Sequence, residues 1–246
     1  TYSQLGYQIA QMFLDAGLSP MMQGLCRPTL TNNQIAFRYQ QTGDTKYLWR
    51  DPCYSSAEFR DMLTKRIEDM LAKTLPLGFL IYHWGDECSY TFEGGTTPLD
   101  ICFHPDSLRE FRVWLKTQYP SLDALNAEWL TDFKDWDAVT PLPFDKVKGR
   151  KSFAPWADHR LFSDYQYCVL TWKRFGDEIR KRDPGAIVGE GGITAHPLAY
   201  GGFNWPLKLS SYQHAIPYGY AEVVAQLARN YPGFRFSTRW TGYNSP

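Results

Sequence analysis

Asp86 and Glu87 close the run Gly78-Phe79-Leu80-Ile81-Tyr82-His83-Trp84-Gly85, so an apolar, strand-like stretch ends in two adjacent carboxylates. Carboxylates at the end of a buried strand are costly unless they are hydrogen-bonded or functional. Two side by side disfavour double ionisation, which favours keeping one of them protonated and able to act as an acid. A second run, Ala186-Ile187-Val188-Gly189-Glu190, also ends in a carboxylate. Gly191-Gly192 behind it would let a ligand approach the backbone closely. Glu190 is therefore a candidate second carboxylate or ligand-hydroxyl contact, with a plain loop residue as the alternative, and Glu222, within a helix-like stretch, is a weaker candidate. His83 alternates to the same side as Gly85 and Glu87, where it either lines a site or sits as a satisfied core histidine. The chain has no HxH or HExxH spacing and no CxxC, so neither a metal site nor a cofactor is expected.

The elements that position these residues follow from periodicity. Ser3 to Ala16 has helical spacing at Leu5, Ile9, Met12 and Phe13, with Gly17 as a stop. Met21 to Leu25 reads as a short buried strand, and residues 26–50 as a polar loop or small excursion. Ser55 or Ser56 caps a helix from Ala57 to Lys73, whose stripe is Phe59, Met62, Leu63, Ile67, Met70 and Leu71. Pro105 starts a helix carrying Leu108, Phe111, Trp114 and Leu115, and Ser121 opens a shorter one that ends near Trp129. Residues 131–155 read as connection. A long helix is expected from Trp156 to Lys181, with Phe162, Tyr165, Val169, Trp172 and Ile179 on one face. Strands are expected at Ala186–Glu190, Ser210–Tyr218 and Phe234–Trp240, with a helix from Glu222 to Arg229 before the last. Strands alternating with helices specify an α/β fold with a parallel sheet, and barrels of this class carry catalytic residues at the C-terminal ends of their strands.

The 246 residues suit one large domain, such as a barrel, or two small ones, and no repeat or clear linker appears. The net charge is zero and there is no basic run, which excludes an electrostatic nucleic-acid binder. No apolar stretch approaches the ~18 residues of a membrane span, and no signal peptide is visible. The expectation is a soluble chain whose compartment stays open. Cys26, Cys53, Cys88, Cys102 and Cys168 are scattered and odd in number. They read as reduced structural thiols, with one or two disulfides as the alternative.

Residues 78–145 carry a more specific pattern. It comprises Trp84-Gly85-Asp86-Glu87, Asp100-Ile101-Cys102-Phe103, Leu108 to Lys116, Tyr119-Pro120-Ser121-Leu122-Asp123-Ala124-Leu125-Asn126-Ala127-Glu128-Trp129 and Trp136-Asp137-Ala138-Val139-Thr140-Pro141. This resembles the catalytic barrel of glycoside hydrolase family 42 β-galactosidases and their clan A relatives, most closely from Phe111 to Pro141. The resemblance implies a (β/α)8 TIM-barrel type that is incomplete here. Met21–Leu25 would be its third strand, Gly78–Glu87 its fourth, and the remaining candidates its fifth to seventh. Residues 1–246 would then be one barrel domain, an internal part of a longer protein. Other chain material or a homo-oligomer would cover its open sheet edges.

The resemblance places Glu87 on the family's general acid/base and Asp86 where the family has an Asn that binds the sugar 2-hydroxyl. An ionised Asp accepts a hydrogen bond there but cannot donate one. It implies a retaining glycosidase acting on a β-linked oligo- or polysaccharide. The family's nucleophile Glu on the seventh strand has no counterpart in Phe234 to Tyr243, so it lies outside this chain or comes from an unexpected position. Some members carry a cysteine zinc cluster after the acid/base strand. Here Cys102 lacks its companion cysteines in Phe103 to Ser107, and no structural zinc is expected. Trp84, Tyr90, Tyr218 and Trp240 near strand ends are candidate sugar platforms, since sugars present apolar C–H faces. His83 and Arg239 complete the candidate substrate contacts. The alternatives are a carbohydrate-binding barrel without catalysis and a structural subunit of an assembly.

Overall fold

The structure, a computed structural model, describes residues 8, 11–12, 15, 21–22, 33–86, 102–194, 204–211, 213–219, 226, 229–231 and 233–236. In chain order its elements are β1 (Met21–Met22), α1 (Asn33–Thr42), α2 (Ala57–Thr74), β2 (Ile81–Asp86), α3 (Pro105–Gln118), α4 (Leu122–Trp129), α5 (Phe144–Val147), α6 (Ala154–Tyr165), α7 (Arg174–Arg182), β3 (Ile187–Thr194), α8 (Trp205–Ser211), β4 (His214–Gly219) and β5 (Arg235–Phe236). Single 3-10 turns lie at Thr45–Leu48 and Leu75–Leu77, and a π-helical stretch, Gln166–Lys173, joins α6 to α7. The chain divides into two compact units. One comprises Thr1–Pro28, Asp61–Cys88 and Cys168–Pro246, and the other Thr29–Arg60 and Ser89–Tyr167.

The first unit holds a five-stranded sheet in the order β1-β2-β3-β4-β5, with every neighbouring pair parallel. Strand order that follows chain order requires a crossover between each pair, and crossovers of one hand place their helices on one face of the sheet. The helix-facing residues of β2 are Tyr82 and Trp84. The Trp84 ring lies 4.8 Å from that of Trp172 and 6.2 Å from that of Phe175. Tyr82 Oη donates to Asp183 Oδ2 at 2.9 Å. Gly78, at φ 64, reverses the chain out of the Leu75–Leu77 turn and into β2, a left-handed conformation that glycine adopts without a Cβ clash.

The second unit is helical. Phe111 on α3 is fully buried, and its ring lies 5.3 Å from Phe162, 5.3 Å from His159 and 6.2 Å from Trp129. Tyr119 Oη and Trp129 Nε1 both donate to Asp158 Oδ2, at 2.6 and 2.7 Å. Burial nevertheless raises the Asp158 pKa, outweighing the two bonds that favour its charge. Two helix starts follow the sequence signals. His104 caps α3 with Pro105 in its first turn, and Ser121 Oγ accepts from Ala124 N to cap α4.

Four expectations are corrected. Residues 26–50 are not a continuous loop, since α1 and the turn at Thr45–Leu48 lie within them. Among the described side chains of α1, Tyr39 is buried, and its hydroxyl donates to Asp145 Oδ1 at 2.6 Å. The connection at 131–155 contains the short helix α5, entered through Pro143. The long helix after Trp156 is interrupted by the π-helical stretch. Its extra residue per turn rotates the buried stripe to Tyr167 and Cys168 and keeps Trp172 in it, leaving Tyr165 and Val169 half-buried. Ser210 and Ser211 belong to α8, and the strand begins at His214. Asn204 caps α8 by accepting from Leu207 N at 3.0 Å, with Pro206 in the first turn. The expected helix of residues 3–16 falls mostly outside the described residues.

Candidate active site

The C-terminal ends of β2, β3, β4 and β5 share one edge of the parallel sheet, the edge at which open α/β sheets and barrels place their chemistry. β2 ends at Asp86, and Glu87 is the next residue in the chain. Glu87, Tyr90, Arg239 and Trp240 lie outside the described residues. Asp86 is paired in register with Gly191. Between the pair His83–Gly189 and the pair Asp86–Gly191 the register slips by one residue, so β2 carries a bulge immediately before the carboxylates. Bulges of this kind re-aim the side chains that follow them and are common beside active sites. Tyr218 lies on β4, one residue before its end.

Below that edge, one row of the sheet brings His83, Gly189, His214 and Arg235 into register on β2, β3, β4 and β5. The two histidines meet across β3. His83 Nε2 lies 2.8 Å from His214 Nδ1, the rings are stacked with centroids 5.0 Å apart, and the residues are 0% and 3% exposed. They can touch only because the residue between them is glycine. A Cβ on Gly189 would fall 1.9 Å from the His214 carbonyl oxygen. At most one proton sits between the two nitrogens. Burial lowers the His83 pKa to about 3, helped by the neighbouring His214. Burial also lowers that of His214, helped by the Arg235 charge. Both imidazoles are therefore neutral at neutral pH. Among the described residues, His83 Nδ1 has no hydrogen-bond partner.

Glu190 follows Gly189 and so faces the other way, to the side of Trp84 and Val188. It is 1% exposed, and its Oε2 lies 2.9 Å from Nζ of Lys208 on α8, itself 2% exposed. Of the residues singled out from sequence, the structure brings His83 to the row that runs toward Asp86. It places Trp84 and Glu190 on the opposite, helix-facing side. Sequence reasoning missed His214, Lys208 and the role of Gly189. A glycine inside a strand signals a close approach, and that signal was legible at Gly189. Lys208 carried none, because no element was expected over Trp205 to Leu209, the part of α8 that holds it.

No group of three His, Cys, Asp or Glu among the described residues is placed to hold a metal ion, and none of the described helices is long and apolar enough to cross a membrane.

A family model described as Beta-galactosidase (glycoside hydrolase 42) matches residues 39–203. No curated protein sequence matches the chain. Among solved structures, a β-galactosidase from the psychrophilic Marinomonas ef1 aligns with a TM-score of 0.62 at 14% identity, covering 89% of this chain and 33% of that one. The cold-adapted β-galactosidase from Rahnella sp. R3 gives 0.60 at 15% identity, covering 89% and 31%. The agarase AgWH50C gives 0.54 at 13% identity, covering 90% and 32%. At these identities the likeness shows the fold, and the chain spans about a third of the length of each of these structures.

Proposed function

The chain belongs to the β-galactosidase family of glycoside hydrolases, family 42, whose fold is the TIM barrel, and from that premise we propose that it is the acid/base-bearing part of a retaining glycosidase that cleaves a β-glycosidic bond. In this reading residues 1–246 supply strands three to seven of one barrel domain, and the rest of a longer protein closes it. The observation that carries the proposal is the position of Glu87. It directly follows β2 at the C-terminal edge of a parallel sheet, in a chain of this family.

Glu87 protonates the glycosidic oxygen as the bond to the leaving sugar breaks. It then takes a proton from the water that releases the glycosyl group from the nucleophile. Retention requires the two carboxyls about 5–5.5 Å apart, so the nucleophile comes from a strand end that faces Glu87. Glu190, held by Lys208 on the helix side, is left to its ion pair in this reading, and the nucleophile belongs to another segment. Asp86 accepts a hydrogen bond from a sugar hydroxyl. Tyr90, Tyr218, Arg239 and Trp240 supply platforms and polar contacts around the sugar. Trp84, packed against Trp172 and Phe175, supports the strand rather than stacking on substrate. The neutral His83–His214 pair forms the floor beneath the site, where it adds no charge to compete with the carboxylates.

The test is the stereochemistry of turnover by the full-length protein on an aryl β-galactoside, followed by proton NMR. Retention gives the β-anomer as the first product. The α-anomer first would mean inversion and two carboxyls about 6.5–9.5 Å apart. Sugar binding by calorimetry with no turnover would identify a carbohydrate-binding barrel instead.

A further inference from the structure

In the second unit, two thiols face each other. Cys53 precedes α2, and Cys102 precedes α3. They are 3% and 2% exposed, 49 positions apart in the chain, with their Sγ atoms 3.9 Å apart. A disulfide needs about 2.05 Å, so the two sulfurs must approach by a further ~1.9 Å. The two sulfurs are not equivalent. Cys102 Sγ accepts from the backbone N–H of Arg50 at 3.2 Å and from the backbone N–H of His104 at 3.4 Å, and it shares a thiol contact with Cys53. Two backbone donors converging on one sulfur are the environment of a thiolate. Burial by itself would raise the Cys102 pKa, and these bonds overcome it and hold it below the ordinary thiol value. The bond from Cys53 to Cys102, together with burial, pushes Cys53 up. Cys53, though not Cys102, lines a cleft of about 670 Å³ together with Trp49, Arg50, Asp51 and His104, so a small oxidant in the cleft meets the pair from the Cys53 side.

We propose that Cys53 and Cys102 form a site of reversible oxidative modification that closes to an internal disulfide on reaction with a peroxide. The Cys102 thiolate attacks one oxygen of hydrogen peroxide. The O–O bond breaks, hydroxide leaves, and Cys102 becomes a sulfenic acid. Cys53 gives its proton to that hydroxide, forming water, and attacks the Cys102 sulfur. The S–S bond forms, the S–O bond breaks, and the departing hydroxide takes the remaining proton from solvent as the second water. Two electrons pass from the sulfur pair to the peroxide, and a dithiol reductant reverses the change. The bridge ties the segment before α2 to the segment before α3 and closes a long loop, which restricts the unfolded chain.

The experiment treats the full-length protein with a few equivalents of hydrogen peroxide, alkylates the remaining thiols under denaturing conditions and maps peptides by mass spectrometry without reduction. The expected result is a crosslinked pair of peptides containing Cys53 and Cys102 that disappears on treatment with dithiothreitol. Cys168, fully buried in the other unit, stays alkylatable. The oxidised protein melts several degrees higher than the reduced one. In Cys53→Ser, dimedone traps a sulfenic acid on Cys102. In Cys102→Ser, Cys53 is consumed at least tenfold more slowly. Circular dichroism shows whether each variant is folded, and the wild-type crosslink is read without either. Recovery of both thiols intact at doses that oxidise free cysteine overturns the proposal, as does pairing of Cys102 with a different cysteine.

Discussion

Replacing Lys208 with Met should destabilise the protein far more than a surface lysine would. Lys208 Nζ lies 2.9 Å from Glu190 Oε2, and the two residues are 2% and 1% exposed. Removing the ammonium leaves a carboxylate that water cannot reach. The carboxylate must then stay charged in a low dielectric or take up a proton. The cost of breaking one side of such a pair is about 3–5 kcal/mol, against ~0–1 kcal/mol for an exposed pair such as Lys134–Asp132. At about 2–4 °C per kcal/mol for a chain of this size, the melting temperature falls by roughly 10 °C. Glu190→Gln alone removes the carboxylate that the ammonium meets at 2.9 Å and costs a similar amount. The double variant Glu190→Gln/Lys208→Met removes both charges and recovers to within about 1 kcal/mol of wild type, because the pair itself contributes little net stability once its desolvation is counted. The assay is equilibrium urea unfolding, read as a shift of midpoint at constant slope. A Lys208→Met variant within ~1 kcal/mol of wild type would refute the buried-pair reasoning. A folded Glu190→Gln variant that loses turnover by about 100-fold or more would move Glu190 from a structural role to a catalytic one.

Three further outcomes follow from the same sheet. Gly189→Ala puts a Cβ 1.9 Å from the His214 carbonyl oxygen, so β3 and β4 must part, and urea unfolding should show a loss of about 3 kcal/mol. Gly78→Ala meets no atom within 4 Å and suffers only its left-handed φ, a loss of about 1–2 kcal/mol in the same assay. The pH dependence comes from buried histidines. His83 and His159 are held down to about 3 and about 4 from 6.5, and His214 is also lowered, so the unfolded chain binds more protons than the fold below pH 6.5. Stability is full above that pH and declines as pH falls from 6.5 toward 4 and then 3, by about 1.4 kcal/mol per pH unit for each histidine in that window. Equal urea midpoints at pH 7 and pH 5 would contradict the burial of these imidazoles.

Much of the fold was legible because strong local signals and tertiary packing agreed. The stripe from Phe59 to Leu71 lies on α2, the capped starts at Pro105 and Ser121 begin α3 and α4, and each strand candidate coincides at least in part with a strand. Elements whose signal was weak were lost. Among the described side chains of the helix α1, Tyr39 is buried and Phe37 exposed. The helix α8 is short, and only its last two residues, Ser210 and Ser211, fell within an expected element, a strand. The π-helical stretch has no sequence period of its own, and it moved the buried stripe from Tyr165 and Val169 to Tyr167 and Cys168, while Trp172 is buried as expected. Within the candidate site, alternation along the strand put His83 and Glu87 on one side, while the structure shows what His83 meets. His214 was out of reach of local reasoning, because a contact between strands 131 positions apart depends on register. The Glu190–Lys208 pair was out of reach because no signal marked the helix that carries Lys208.

The most direct test of the central claim compares two substrates on the full-length Glu87→Gln variant. One is an aryl β-galactoside whose leaving group departs without protonation, and the other is a β-linked galactosyl disaccharide that requires it. If Glu87 is the acid/base, kcat/KM for the disaccharide falls by about 10²–10⁴-fold. Bond cleavage in the aryl substrate is largely spared, and azide, which needs no general base, restores release of the glycosyl group. Full activity on both substrates would contradict the assignment of Glu87 and, with it, the account of how this chain takes part in catalysis.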